Sequence, residues 1–149
     1  MPALLLNAAA TLFMTGLIWF VQVVHYPLFA LVQGPDAPAY AARHQALTTL
    51  VVGPVMLAEL AGAIWLAVLP PVGVPAWIPR VALLLLAAIW VSTALWQVPL
   101  HQKLLAGHEA STIGSLVSGN WLRTVLWTVR GAAALWMIKL AFDAIRSAT

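Results

Sequence analysis

The amino-acid sequence predicts an all-α integral membrane protein with four transmembrane helices in an antiparallel bundle. Of the 149 residues, 63% are hydrophobic and 7% are charged, and the mean hydropathy is +0.96. A soluble domain is roughly 45–50% apolar and about 25% charged, so this chain is too apolar to be one. The hydrophobic residues form four runs of about 20 residues, the length that crosses a bilayer as a helix. None of these runs alternates with the period of two that marks a barrel strand.

The four predicted spans differ in the charges that they carry. They are residues 3–24, 47–69, 81–100 and 121–140. The first and third spans contain no charged residue, the second contains only Glu59, and the fourth contains Arg123 and Arg130. A single four-helix transmembrane domain is expected to account for residues 1–149.

Segments rich in proline and glycine separate the spans. Residues 34–38 and 70–75 predict the first two turns, and the more polar residues 101–119 predict a longer third connection. Pro27 and Pro99 are expected to end the first and third spans, because proline lacks the N–H group that an interior helical position uses. The alternative is a bend in a helix that continues, with the freed carbonyl groups satisfied by neighbouring groups or by a water-filled cavity.

Charge and cysteine content exclude several classes of function. The seven Lys and Arg residues form no basic run, so no nucleic-acid partner is expected. The lack of cysteine excludes disulfides, thiolate catalysis and iron–sulfur clusters. The side of the two termini carries Arg80, Lys139 and Arg146, and the other side carries Arg43, Lys103 and, at the boundary, Arg123. This small excess favours both termini in the cytoplasm.

All four histidines fall on one predicted face of the membrane. Alternating spans bring together the end of the first, the start of the second, the end of the third and the start of the fourth. The histidines beside these ends are His25, His44, His101 and His108. The bundle is therefore expected to gather them near one membrane interface.

Polar residues inside the spans and just beyond their ends recur at helical steps, mostly of three, four or seven residues, which places them on one side of each helix. From the first to the fourth span they are Thr11, Thr15, Gln22 and His25; Tyr40, His44, Thr48 and Glu59; Thr93, Gln97 and His101; and Asn120, Arg123, Trp127 and Arg130. Lipid cannot satisfy their hydrogen bonds, so the four stripes are expected to face one another.

The intramembrane charges allow more than one interpretation. A charge at the middle of the bilayer costs at least ~2.5–3.5 kcal/mol, so it needs a partner or a function. Glu59 and Arg130 lie at similar depths and are expected either to form an ion pair or to act on a proton or a substrate. Arg123, at a helix boundary, either extends towards lipid phosphate or belongs to a site.

Three kinds of site would use the histidines. In the first, His25, His44 and His101, with or without His108, bind a zinc, copper or iron ion. In the second, two histidines on different helices clasp a haem b. In the third, no metal binds, and the histidines with Arg123 act on an organic substrate by proton abstraction. Solvated histidines without a ligand are the remaining interpretation.

Four short segments carry a resemblance to known proteins. They are Gly16-Leu17-Ile18-Trp19, residues 21–29 (VQVVHYPLF), residues 97–101 (QVPLH) and residues 120–124 (NWLRT). The chain resembles small bacterial four-helix integral membrane proteins of unassigned function, and more distantly it is similar to the anthrone-oxygenase-like family. The resemblance implies this fold and redox chemistry on an aromatic or quinone-like molecule.

The favoured hypothesis is a membrane oxidoreductase with a metal ion or haem and a hydrophobic small-molecule substrate. Gln97 and Asn120 are expected to orient the cofactor or substrate, with Glu59, Arg123 and Arg130 in catalytic roles. One alternative is a non-catalytic accessory subunit of a larger membrane complex. The partner would then be that complex, and a homo-oligomer is the other partner considered. Another is a small transporter or proton path that uses Glu59.

Overall fold

Four long helices make up nearly all of the computed structural model, which describes residues 1–107 and 109–148. The helices are α1 (Pro2–Leu31), α2 (Ala37–Val68), α3 (Trp77–Ala106) and α4 (Ala110–Arg146). Each is long and apolar enough to cross a membrane, and the described residues form no β-strand. The predicted fold class is confirmed.

The helices stand at the corners of a square. Each packs against its two neighbours around the bundle, in the order α1, α2, α3, α4 and back to α1. Among the described residues, no backbone contact crosses either diagonal of the square. The centre is therefore filled by side chains, and these carry all direct contact between opposite helices.

Apolar side chains pack the centre in three layers and also cover the outside. The buried members of the layers include Leu4, Leu66 and Met137 near the termini, Met14, Leu86 and Trp127 in the middle, and Phe29, Leu104 and Leu116 at the other end. Leu6, Leu50, Leu84 and Leu95 are each about 70% exposed on the outer surface. Such a surface suits lipid, which needs no polar partner.

α1 and α3 continue through the prolines that were expected to end them, so that expectation was wrong. A π-helical turn, Val21–His25, precedes Pro27, and a second one, Thr93–Gln97, precedes Pro99. A π turn holds one extra residue, which gives the proline ring room beside the carbonyl group one turn earlier. The helix axis therefore continues, and the turns carry polar residues of the predicted stripes.

The third connection is much shorter than predicted, since only residues 107–109 separate α3 from α4. Ile113 and Leu116, placed in the predicted connection, are buried in α4 against Leu104. This burial compensates for the polar residues that made the segment look like a loop. The first two turns are confirmed, and each contains a glycine at positive φ, Gly34 and Gly73.

Candidate functional site

Three of the four predicted histidines lie side by side at one end of the bundle. His25 Nε2 is 2.8 Å from His44 Nδ1, a hydrogen-bond distance. The rings of His44 and His101 stack with their centroids 5.5 Å apart. His108 lies outside the described residues.

This arrangement does not fit a metal site. Two ring nitrogens that bind one zinc ion, each at about 2.0–2.1 Å in tetrahedral geometry, would lie about 3.3 Å apart. Here His25 Nε2 and His44 Nδ1 lie 2.8 Å apart and share a hydrogen bond, so no ion fits between them. The Nε2 atom of His101 contacts the Tyr26 hydroxyl and neither of the other two histidines. Across the described part of the chain, no three His, Asp or Glu side chains are placed to hold a metal ion.

A haem clasped by His25 and His101 does not fit either. His44 stacks on both of these rings, with centroid distances of 4.5 Å to His25 and 5.5 Å to His101. The space that a macrocycle would need is therefore occupied by an imidazole.

A cavity of about 360 Å³ lies beside the histidines, between α2 and α3. Its polar lining residues are Tyr26, His44, Gln45, Thr48, Thr49, Trp90, Thr93, Gln97, His101, Gln102 and Arg123. Val52, Met56 and Val98 are apolar lining residues, and Gly53 lies among them. Thr49, Val98 and Gln102 are exposed, so the cavity opens at the outer surface of the bundle.

Unsatisfied polar atoms converge on this cavity. Within the described residues, five buried side-chain nitrogen or oxygen atoms lack a hydrogen-bond partner. They are Trp90 Nε1, Gln97 Nε2, Gln97 Oε1, His101 Nδ1 and Arg123 Nε. All four of these residues line the cavity. A buried polar atom without a partner costs about 1–3 kcal/mol, so a site with five of them is prepared for a polar partner.

Arg123 is buried and is held by neutral groups. Only 7% of the residue is exposed, so the prediction that it belongs to a site fits better than extension towards lipid phosphate. Its Nη1 donates to Asn120 Oδ1 over 3.3 Å, and Asn120 Nδ2 donates to Gln22 Oε1 over 2.9 Å. The guanidinium also interacts with the Tyr26 hydroxyl. The predicted role of Asn120 in orienting groups at the site stays a prediction, and its contact with Arg123 supports it.

Tyr26 and Gln45 fix His101 at the mouth of the cavity. The Tyr26 hydroxyl is 3.0 Å from His101 Nε2, a contact that crosses the bundle from α1 to α3. Gln45 Nε2 donates to the backbone oxygen of His101 over 2.7 Å. With Nε2 and the backbone oxygen engaged, His101 presents Nδ1 as its free atom.

Glu59 and Arg130 form a separate cluster, deeper in the bundle. Arg130 Nη2 lies 2.9 Å from Glu59 Oε1, and both residues are almost fully buried, which confirms the predicted ion pair. Thr11 Oγ1 and Trp127 Nε1 also donate to the carboxylate. Arg130 donates a further hydrogen bond to the backbone oxygen of Ala82. Neither charge lines the cavity.

Trp19, Trp96 and Trp127 lie towards the histidine end of the bundle and differ in burial. Trp127 is fully buried and lies between the two clusters, because its indole donates to Glu59 and its ring lies 5.3 Å from Arg123 Cζ. Trp19 and Trp96 are 41% and 55% exposed, and neither lines the cavity.

Five polar residues that line the cavity were missed from the sequence, and helical steps would have found two of them, Tyr26 and Trp90; the other three are Gln45, Thr49 and Gln102. Tyr26 follows Gln22 by four residues, and Trp90 precedes Gln97 by seven. Each of these steps returns to the same side of a regular α-helix, the only kind of helix that a periodic pattern assumes. Their side chains look apolar in a hydropathy profile, which hides the hydroxyl and the indole N–H group.

Comparison of the chain with protein-family models, with curated proteins and with solved structures found no match. The resemblance to the anthrone-oxygenase-like family therefore stays a prediction.

Proposed function

We propose that this chain binds a hydrophobic aromatic molecule of the quinone class in the cavity between α2 and α3 and takes part in its oxidation or reduction. The observation that carries the proposal is the convergence of the five unpartnered polar atoms on this one cavity. Four of the five atoms are nitrogens that can donate a hydrogen bond, and the carbonyl oxygens of a quinone accept them. The apolar wall formed by Val52 and Met56 suits the ring.

The side chains of the site supply proton exchange for such a reaction. Reduction of a quinone to a quinol takes up two electrons and two protons. Tyr26 and His101, joined by a hydrogen bond, would donate or accept protons at a ligand oxygen beside His101 Nδ1. The electrons would come from a donor of the flavin or haem class outside this chain.

The alternatives derived from the sequence have less support. A proton path through Glu59 would need a carboxylate with a free oxygen, but both Glu59 oxygens already accept hydrogen bonds. For an accessory subunit, the unpartnered atoms of the cavity would have no use. We also propose that the chain lies in a bacterial inner membrane with both termini in the cytoplasm, in line with its basic residues.

Binding is tested with 2-methyl-1,4-naphthoquinone, titrated calorimetrically into the protein in lipid nanodiscs. Gly53→Leu places a side chain in the cavity, and a Cβ atom at this glycine meets only Thr49 Cγ2, at 4.0 Å. Gly16→Leu is the matched control, because Gly16 is an exposed helical glycine whose Cβ would meet nothing within 4 Å.

We expect saturable binding to the wild-type chain and to Gly16→Leu, and at least about tenfold weaker binding to Gly53→Leu, a loss of about 1.4 kcal/mol. Equal heats in all three proteins would mean that the quinone only partitions into lipid, and would overturn the proposal. Elemental analysis and an absorption spectrum of the same samples test the metal ion and the haem predicted from the sequence.

A further inference from the structure

The two buried arginines of α4 have different surroundings. Arg123 and Arg130 lie seven residues apart, which is two helical turns on the same side. Arg130 faces the Glu59 carboxylate at 2.9 Å. Arg123 has no carboxylate within 4 Å among the described residues, whose ion pairs are Arg130–Glu59 and Lys139–Asp143. Among the described residues, a carboxylate balances the charge of Arg130 and none balances that of Arg123.

The partners of Arg123 are all neutral or aromatic. They are the Asn120 amide oxygen, the Tyr26 hydroxyl and the face of the Trp127 ring. Arginine stays protonated in proteins, so a full positive charge lies in an apolar bundle at this point. An isolated buried charge is costly unless an opposite charge pairs with it.

Arg123 directs this charge into the cavity. The residue lines the cavity wall, and its Nε atom is both buried and without a partner. The other lining residues with free atoms, Trp90, Gln97 and His101, add no negative charge. Among the described residues, the lining of the cavity therefore provides one buried positive charge, several donors and no anion.

We infer that the ligand binds as an anion, with an ionised oxygen on its aromatic ring that is paired with Arg123. This inference rests on the proposed function and narrows it, from quinones in general to hydroxyquinones and phenols that bind as the oxyanion. The ligand oxyanion would pair with Arg123 as the Glu59 carboxylate pairs with Arg130. The ion pair is completed only when the site is filled.

Two probes with the same ring test the inference. At neutral pH 2-hydroxy-1,4-naphthoquinone is an anion, whereas 2-methoxy-1,4-naphthoquinone is neutral. We expect the hydroxy compound to bind wild-type protein in nanodiscs at least about tenfold more tightly than the methoxy compound, since a hydrogen bond to a charged group is worth about 1.5–3 kcal/mol. This comparison needs no variant. To correct for lipid partitioning, the affinity of each probe for wild-type protein is compared with the affinity of the same probe for the Gly53→Leu variant.

Variants then assign the preference to one residue. Arg123→Gln should reduce the affinity for the hydroxy probe at least about tenfold and change that for the methoxy probe by less than about threefold. Arg123→Lys, which keeps the charge, should retain most of the preference. Arg80→Gln is the control for net charge, because Arg80 is exposed at the opposite end of the bundle and should leave both affinities unchanged.

The outcomes separate the inference from the proposed function. If the methoxy probe binds wild-type protein as tightly as the hydroxy probe and Gly53→Leu weakens both, the cavity is the binding site and the anion inference is overturned. An Arg123→Gln variant that weakens both probes equally would overturn it as well. If Gly53→Leu affects neither probe, the proposed function fails and the inference fails with it.

Discussion

The indole Nε1 of Trp127 donates a hydrogen bond of 3.1 Å to Glu59 Oε2. The face of the same ring lies 5.3 Å from Arg123 Cζ, in the cation–π range. One fully buried side chain thus connects the ion pair in the middle of the bundle with the cation of the cavity. The Glu59 carboxylate fixes the orientation of the ring, and the ring supports Arg123.

Replacement of Trp127 should therefore affect both clusters. Trp127→Phe leaves Glu59 Oε2 without this donor and removes part of a buried ring, so we expect a loss of about 2–4 kcal/mol in the free energy of unfolding. Denaturant unfolding in detergent measures it. Trp136→Phe is the control, because Trp136 is 47% exposed and should change stability by less than about 0.5 kcal/mol. Similar losses in the two variants would show that the hydrogen bond from Trp127 to Glu59 does not contribute measurably to the free energy of unfolding.

The Glu59–Arg130 pair should behave as one unit. Glu59→Gln leaves Arg130 as an uncompensated buried cation, and we expect a loss of about 3–5 kcal/mol in unfolding free energy. The double variant Glu59→Gln with Arg130→Met should recover much of this loss, because no buried charge remains. Asp143→Asn, in the exposed Lys139–Asp143 pair, should cost less than about 1 kcal/mol. Additive effects of the two buried substitutions would contradict this account.

The π turns predict where α1 tolerates a deletion. Removing Val24 from the turn Val21–His25 should restore a regular α-helix and keep the residues on both sides in register. The expected cost is about that of an interior proline, roughly 3 kcal/mol. Deleting Phe13, an equally exposed residue in the α-helical part, should rotate Asn7 and Thr11 by about 100° away from Glu59 and abolish folding. Monodisperse elution in detergent is the measurement, and the same result for both deletions would refute the assignment.

The membrane orientation can be read from single cysteines, since the natural chain has none. Asp36 lies in the turn between α1 and α2, and Ser147 follows α4, and both residues are exposed. In intact cells we expect a membrane-impermeant maleimide to label Asp36→Cys and not Ser147→Cys, which should react only after lysis. Labelling of both cysteines in intact cells would contradict four membrane crossings. Labelling of Ser147→Cys and not Asp36→Cys would keep the four crossings and contradict only the cytoplasmic location of the termini.

The sequence predicted those features that depend on a regular period. The four spans, the inward stripes and the Glu59–Arg130 pair follow from hydropathy and from steps of three and four residues, because a regular helix repeats its faces at these steps. Ten polar side chains are buried among the described residues, and Gln22, Gln97 and Asn120 are three of these that belong to the stripes.

The features that it did not predict depend on local departures or on tertiary contacts. The π turns before Pro27 and Pro99 are one-residue irregularities that a periodic pattern does not contain. The stacking of His44 between His25 and His101 depends on ring orientations across three helices. Residue spacing alone predicts that the histidines share a membrane face. It does not distinguish histidines that bind a metal ion from histidines whose rings stack.

The mouth of the cavity at Thr49 and Val98 has a consequence for how ligands are measured. A molecule that enters from the side meets the protein at its concentration in the lipid phase, which hydrocarbon tails raise far above that in water. Each added methylene is worth about 0.8 kcal/mol of transfer into the bilayer, so a long-chain ligand would seem potent in a buffer titration without any new contact to the chain. Selectivity in this site is therefore meaningful only when dissociation constants are expressed as mole fractions in the membrane.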